Sequence, residues 1–431
     1  MSAINEKLKN TLQQNKQTYM DNLLALVARD TRDIGHGIDG GLEANGQKYL
    51  KEVYRSLGAE ILIEPMSEEP IVAAFERYHE GNKGHNYENR YNVYARLKGE
   101  RDISLMFNGH VDTLPPTDES SWTFAPLSPF VRDGKIYGMG VCDMKAGLMA
   151  AAMAVQLLRD CGIELPCNVI LSSVCDEEGG GNGSIAAAMG GLKADAVVVC
   201  EPTSNELILA HMGFVFFEID IAGRAVHCGL KVQGISSIEK AFKIIQAIDE
   251  LELEWLLTYK HPLLPPPSNN VGVIKGGEAG STVAERCIFK TCVHYHPGTM
   301  NYNSVVAQYM DAVNTCCDGD KWLREHRPAV SVYQSGGPFE MKADHPLVET
   351  FCRAFNSTYE KNVKIVGSPA GCDSRIWHTI AKCPTIQYGP GRLAQSHVAD
   401  EYVDVDDYLK TIEVYAQLIL EWGRKGIRND H

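Results

Sequence analysis

Three short stretches, ISLMFNG (103 to 109), NVILSSVC (168 to 175) and DAVVVC (195 to 200), are almost continuously apolar. A strand with one wet face alternates apolar and polar side chains, so runs like these demand a sheet covered on both sides. Such sheets are largely parallel, and helices supply the covering layers. The neighbouring segments fit that demand. Residues 10 to 29 and 41 to 57 read as helices, AEILIEP and NVYARLKG as further strands, and MKAGLMAAAMAVQLLRDCG (144 to 162) as a helix rich in small residues. The chain up to about residue 210 therefore predicts an α/β unit.

From 211 the texture changes. MGFVFFEIDIAGRAVH alternates like a half-exposed antiparallel strand, ISSIEKAFKIIQAIDELELEW is an amphipathic helix, and two strand candidates surround Cys287 and Val293. PLLPPPSNN (262 to 270) reads as a rigid proline-rich loop within this part. After 338 the α/β rhythm resumes, with a helix over 345 to 359, a strand at CPTIQYG and a closing helix over 405 to 424. A chain of 431 residues exceeds what one core usually serves. The expected organisation is one α/β domain built from 1–210 and 338–431, its mixed, mainly parallel sheet covered by helices, with an α+β domain inserted over 211–337.

The strand ends carry the chemistry. ISLMFNG runs into His110 and Asp112, NVILSSVC into Asp176, Glu177 and Glu178, and VVVC into Glu201. TIQYGPG is followed by His397, and the glycine-rich turn YGMGVCD ends on Asp143. Ligand sites in open α/β sheets form outside the carboxyl ends of strands, so these groups are expected to converge. Three adjacent acids repel one another unless water or cations offset them. Imidazole and carboxylate without thiolate suit zinc, cobalt or manganese, and the donors exceed what one tetrahedral ion uses. Two divalent ions sharing a bridging carboxylate would use them all. The glycines of YGMG and EEGGGNG form neither phosphate-binding pattern, GxGxxG after a first strand or GxxxxGK[ST].

Composition narrows the setting. With 41 basic and 55 acidic residues the formal charge is −14, which argues against nucleic acid or an anionic membrane as partner. Thirteen cysteines, two of them adjacent at 316 and 317, give neither a CxxC pair nor a disulfide framework, so reduced thiols and a cytoplasmic setting are expected. The opening segment lacks the pattern of a signal peptide, and no uninterrupted apolar run approaches membrane-spanning length.

The segments FNGHVDTLPP, Trp122, YGMGVCDMKAG, CDEEGG, CEPT, AVHCG, GCDSR and YGPGRLAQSHVADEYV follow one another along nearly the whole chain. In order and spacing they resemble the acetylornithine deacetylase and succinyl-diaminopimelate desuccinylase family of two-zinc amidohydrolases, which includes aminoacylases and certain dipeptidases and carboxypeptidases. Position by position, the resemblance implies that His110 and Glu201 hold one zinc, Glu178 and His397 the other, and that Asp143 bridges them. It makes Asp112 the carboxylate that orients His110, Glu177 the general base, and the Asp143–Met144 peptide bond cis. Asp176 is left as a loop residue without a direct role.

The resemblance further implies that the insert is a ferredoxin-like lid and dimerisation domain. His227 would then reach from one copy of a homodimer into the other's site to hydrogen-bond the oxyanion. Arg375 is either a clamp for a substrate carboxylate or an ordinary salt bridge near the cleft, and Gly371 would offer backbone contacts. Ser281 and His294 stand where many members carry asparagine and arginine, so the substrate's acyl or carboxylate end is expected to differ from the usual. Cys142, beside Asp143, is a reactive thiol or a small buried hydrophobe. The implied reaction is hydrolysis of a linear amide, most simply removal of an acetyl, formyl or succinyl group from an amino acid or related small amine. Dipeptidase or carboxypeptidase activity on the same metal site is the alternative, and a non-catalytic metal-binding relative a further one.

Overall fold

The computed structural model describes residues 2–116 and 118–424. At its centre is a sheet in the order Phe339–Glu340, Leu207–His211, Thr385–Gln387, Ala196–Val199, Ser104–His110, Asn168–Val174, Tyr91–Leu97 and Glu60–Pro65, with Ile365–Ser368 pairing beside Leu207–His211. The inner strands from Thr385–Gln387 to Asn168–Val174 are mutually parallel, and Tyr91–Leu97 and Glu60–Pro65 are added antiparallel.

The continuous apolar runs are explained by side-chain alternation between two dry faces. Leu105, Phe107, Val169, Leu171, Ala196 and Val198 join one core, under the helices Ser2–Val27, Ala146–Asp160, Pro346–Tyr359 and Val405–Arg424. Met106, Ile170, Val174, Val197 and Val199 join the opposite core, under the helices Glu68–Tyr78, Asn182–Met189 and Ser374–Thr379. The small residues of Ala146–Asp160 have a steric cause. A Cβ at Gly147 would come within 1.9 Å of the Cys200 carbonyl oxygen, so the helix can lie this close to the sheet only without a side chain there. The stretch Val141–Asp160 is long and apolar enough to cross a membrane, with a mean hydropathy of 1.4 over its most apolar 18-residue window, but 89% of that window is buried inside the protein.

A second, antiparallel sheet has the order Ser268–Gly276, Arg286–Tyr295, Gly213–Ala222, Ala329–Gly336 and Gly81–Asn82. Val215, Phe217, Ile219 and Ile221 point alternately into a core of their own, closed by Ile244, Ile248 and Trp255 of the helix Ser237–Thr258 and by Tyr309 and Val313 of the helix Tyr302–Gly319. Three details differ from the sequence expectation. The two strand candidates around Cys287 and Val293 are one strand, Arg286–Tyr295. The proline-rich loop ends early, because Ser268–Asn270 already pair with that strand. The second sheet also takes in Gly81–Asn82, which lies far upstream of residue 211.

Candidate metal centre

The parallel strands end along one edge, and their following residues meet there. His110 closes its strand, Glu201 follows Ala196–Val199 by two residues, and Glu177 and Glu178 sit in the turn after Asn168–Val174. Asp143 arrives from the loop before the helix Ala146–Asp160, and the peptide bond from Asp143 to Met144 is cis. His397 comes from the loop after Thr385–Gln387.

The donor atoms lie close together. His110 Nε2 is 3.1 Å from Asp143 Oδ1 and 3.8 Å from Glu201 Oε1. His397 Nε2 is 2.9 Å from Glu178 Oε1 and 3.4 Å from Asp143 Oδ2. Asp143 thus stands between the two imidazoles, one carboxylate oxygen toward each. Ligand atoms of His110, Glu177 and Glu201 lie within 4.8 Å of one another, as do those of His110, Asp143 and Glu178. Proximity alone therefore does not separate Glu177 as base from Glu177 as ligand.

The electrostatics match a site built for added positive charge. Burial raises the pKa of Glu177 well above the ordinary value, and the neighbouring Asp373 and Glu178 add to it. Glu201 is raised in the same way, by burial and then by Asp143. Burial works to lower His110, but its hydrogen bond to Asp143 and the surrounding carboxylates prevail and hold it well above the usual imidazole range. His397 is pushed up to about 9, chiefly by its hydrogen bond to Glu178. Among the described residues lining the cleft around this cluster there is no lysine or arginine. The donor set is imidazole and carboxylate: the groups whose ligand atoms come together are His110, Asp143, Glu177, Glu178 and Glu201, with His397 against Glu178 and Asp143. Such a set fits divalent zinc, cobalt or manganese.

The surrounding shell departs from the sequence expectation in specific ways. His110 Nδ1 is 3.0 Å from the main-chain carbonyl of Asp112 and 3.7 Å from its carboxylate, so Asp112 orients the imidazole through its backbone. The Asp112 carboxylate instead accepts the Glu178 N–H at 3.0 Å, fixing a different donor. Asp176 is no free loop residue. It is fully buried and accepts from Arg90 at 2.9 Å, His85 at 2.8 Å and Asn182 at 2.9 Å. A Cβ at Gly179 would stand 2.4 Å from the Asp176 carboxylate, one reason the acids are followed by glycine.

Arg375 has the geometry of the salt bridge, the second of its two readings. It is buried, with Nε donating to Glu80 at 2.9 Å, Nη1 to the Cys372 carbonyl at 2.7 Å and Nη2 to the Gly180 carbonyl at 3.1 Å. Gly371 does line the cleft. His227 is exposed, outside the cleft of its own chain, and its Nδ1 accepts the Gly229 N–H at 3.2 Å. Ser281 and His294 are likewise absent from the lining of this chain's cleft. Cys142 is fully buried, the hydrophobe of its two readings.

Glu401 carries a role that no local pattern announces. Its carboxylate accepts the N–H groups of Gly140 at 2.7 Å, Cys142 at 2.6 Å and Asp143 at 3.1 Å, and so holds the loop that presents Asp143. The residue stands in the quoted SHVADEYV segment, but its partners are more than 250 positions away.

Residues 106–421 match the model of peptidase family M20/M25/M40. The chain is 31% identical over 358 residues to the N-formyl-4-amino-5-aminomethyl-2-methylpyrimidine deformylase of Bacillus subtilis (strain 168), covering 77% of this chain and 83% of the relative. It is 29% identical over 340 residues to the acetylornithine deacetylase of Edwardsiella ictaluri, covering 78% and 84%. In fold it is similar to a di-peptidase of Saccharomyces cerevisiae, with a TM-score of 0.76 at 12% identity over 98% of this chain and 99% of that one. An M20 family metallo-carboxypeptidase of Sulfolobus solfataricus gives 0.74 at 18% identity over 94% and 99%. The chain belongs to peptidase family M20/M25/M40 and is a metal-dependent hydrolase, with relatives that remove formyl and acetyl groups from amines.

Proposed function

We propose that this enzyme hydrolyses a small N-acyl amide, with a formyl group on an aminomethyl-substituted ring as the leading substrate type, by analogy with the deformylase relative. The observation that carries the reading is the meeting of two imidazoles and four carboxylates at one sheet edge, with no lysine or arginine among the described residues that line the cleft. His110 and Glu201 would hold one divalent ion, Glu178 and His397 a second, and Asp143 both; zinc is favoured by the donor types, with cobalt or manganese as substitutes. When bound, the pair supplies the positive charge that activates a water and polarises the amide carbonyl.

The protein's own residues supply the rest. Glu177 is the general base: its carboxylate takes the proton from the attacking water and returns it to the departing amine nitrogen. Asp112 holds Glu178 by its backbone and His110 by its own carbonyl, so both donors are fixed before substrate arrives. Residues 211–337 act as lid and dimerisation region, and His227 of a second copy completes the site as oxyanion donor. A homodimer is supported by the edge strand Ser268–Gly276, where Val273 and Ile274 are exposed, and by Phe242 and Leu253 on the adjoining helix, each 61% exposed. A cytosolic setting is supported by thirteen cysteines, all free.

The test is a panel of N-formyl, N-acetyl and N-succinyl amides alongside dipeptides, assayed with metal-free protein and after addition of zinc or cobalt. Hydrolysis of a simple N-acyl amide that appears only with metal is the expected result. Turnover of dipeptides alone would replace the deacylase with a peptidase.

A further inference from the structure

The main and second sheets are joined by the chain at three places, and all three meet at one buried ion pair. Leu207–His211 leads through Met212 into Gly213–Ala222, Ala329–Gly336 returns through Gly337 and Pro338 to Phe339–Glu340, and Gly81–Asn82 adds a short strand from upstream. Glu80, immediately before that short strand, is 1% exposed, and Arg375, on the helix Ser374–Thr379, is 2% exposed. Arg375 Nε donates to Glu80 Oε2 at 2.9 Å, and Glu80 Oε1 accepts the Gly337 N–H at 2.7 Å. The guanidinium carbon lies 5.2 Å from the centre of the Phe214 ring, on the outgoing strand. A Cβ at Gly336 would stand 2.7 Å from Arg375 Nε, so the returning strand passes directly against the arginine.

The far end of the same guanidinium reaches the acids. Nη2 donates to the Gly180 carbonyl at 3.1 Å, and Nη1 to the carbonyl of the cleft-lining Cys372 at 2.7 Å. Gly180 and Gly181 in turn give their N–H groups to the Glu177 carbonyl, both at 2.8 Å. An unbroken line of bonded residues therefore runs Gly337, Glu80, Arg375, Gly180, Glu177. Burying a charged pair costs solvation that packed apolar groups would not lose, so stability alone is a weak reason for one here. A planar fork can do what apolar packing cannot: it fixes the relative direction of a carboxylate and two carbonyls on three separate segments.

We infer that Arg375 is a positioning residue: with Glu80 it fixes the turn that carries Glu177 to the junction of the two sheets, so the Glu177 carboxylate keeps its place beside His110 and Glu201 only while that junction is intact. The effect on rate rests on the reading of Glu177 as general base in amide hydrolysis; the mechanical link does not.

The test uses Glu80→Gln combined with Arg375→Met, which removes both charges together and leaves an amide oxygen to accept from Gly337. In the zinc-loaded double variant kcat should fall by on the order of 100-fold, the loss that a displacement of about 1 Å produces, with KM and metal content unchanged. Unchanged kcat overturns the inference. A loss confined to KM makes Arg375 a substrate clamp, and a parallel loss of metal makes it a support of the ligands; either result overturns it as well. On a Glu177→Gln background the same pair of substitutions should lower the residual rate no further, whereas a full additional loss shows that Arg375 acts elsewhere. Arg375→Lys keeps a charge beside Glu80 but lacks the fork, and covers the case in which the double variant does not fold: it should also lose turnover at unchanged metal content, and full activity overturns the inference. Hydrogen exchange separates the link from the base reading. Amides of residues 177–181 should lose protection in both variants while those of the helix Tyr302–Gly319 keep theirs. If Glu177→Gln alone leaves kcat unchanged, the base reading fails and exchange decides: protection lost at 177–181 supports the link, and protection kept there overturns it.

Discussion

Asp176 and Glu178 stand two residues apart at the end of the same strand, and their charges are balanced in opposite ways. Asp176 is enclosed with Glu43 by Arg90, which donates to both, and by His85 and Asn182. Glu178 faces Asp143 and His397, with Glu177 and Glu201 nearby, and among the described residues no guanidinium or ammonium lines the cleft they share. The first cluster brings its own cation and is closed. The second is short of positive charge and open to a cavity. An acidic cluster whose side chains complete one another is structural, whereas one left in deficit beside a cavity awaits an ion.

That contrast can be broken at either end. Chelation should abolish hydrolysis, with recovery on adding zinc or cobalt, while the Arg90 cluster should be untouched; activity that survives in verified metal-free protein would remove the ion from the account. Glu177→Gln should lower kcat by on the order of 10³-fold at unchanged metal content, measured by elemental analysis beside steady-state rates. A parallel loss of metal would make Glu177 a ligand instead of the base. Arg90→Met leaves two buried acids without their shared cation, and should cost about 3–5 kcal/mol in denaturant unfolding. A near-neutral result would mean that the closed cluster was not held by its guanidinium.

Glu401→Gln should weaken metal affinity by about 10–100-fold through the loosened Asp143 loop, read by competition with a chromogenic chelator. The smallest effect is expected in the second sheet's region, where an acid is balanced by lysines at the surface. Burial works to raise the Asp320 carboxyl, but Lys240 and Lys243, both at 2.7 Å, and two main-chain N–H groups hold it below the ordinary range. A depressed carboxylate stabilises fully above its unfolded pKa, about 3.9, and that contribution fades as pH falls toward the folded value. Asp320→Asn should therefore cost about 1–2 kcal/mol near pH 7 and progressively less below pH 4, seen as a flattened acid limb in thermal midpoint against pH.

The reach of the sequence follows the same division. Strands such as Ser104–His110 announce themselves because burial on both faces leaves a continuous apolar trace, and the site donors stand directly at their ends. The helix Tyr302–Gly319 went unread, although Val305, Tyr309, Val313 and Cys317 recur at helical spacing on its buried face. What the sequence could not disclose depends on distance along the chain. The burial of Asp176 is set by Arg90 and His85, 86 and 91 positions upstream, and nothing near CDEEGG points to them. Arg375 is bound to Glu80 across 295 positions, a pairing that no pattern near GCDSR could disclose.

The strand Gly81–Asn82 has a consequence for anyone who would exchange the second sheet and its helices between relatives. It pairs with Gln334 and Ser335, while Asn82 also exchanges hydrogen bonds with Asn182 and donates to the Gly179 carbonyl beside the acids. Glu80 completes the stitch by joining Gly337 to Arg375. Cutting the chain at 211 and 337 would sever the covalent junctions and leave this one behind. A transplanted 211–337 segment would meet a foreign edge strand, so the unit of exchange includes residues 79–85.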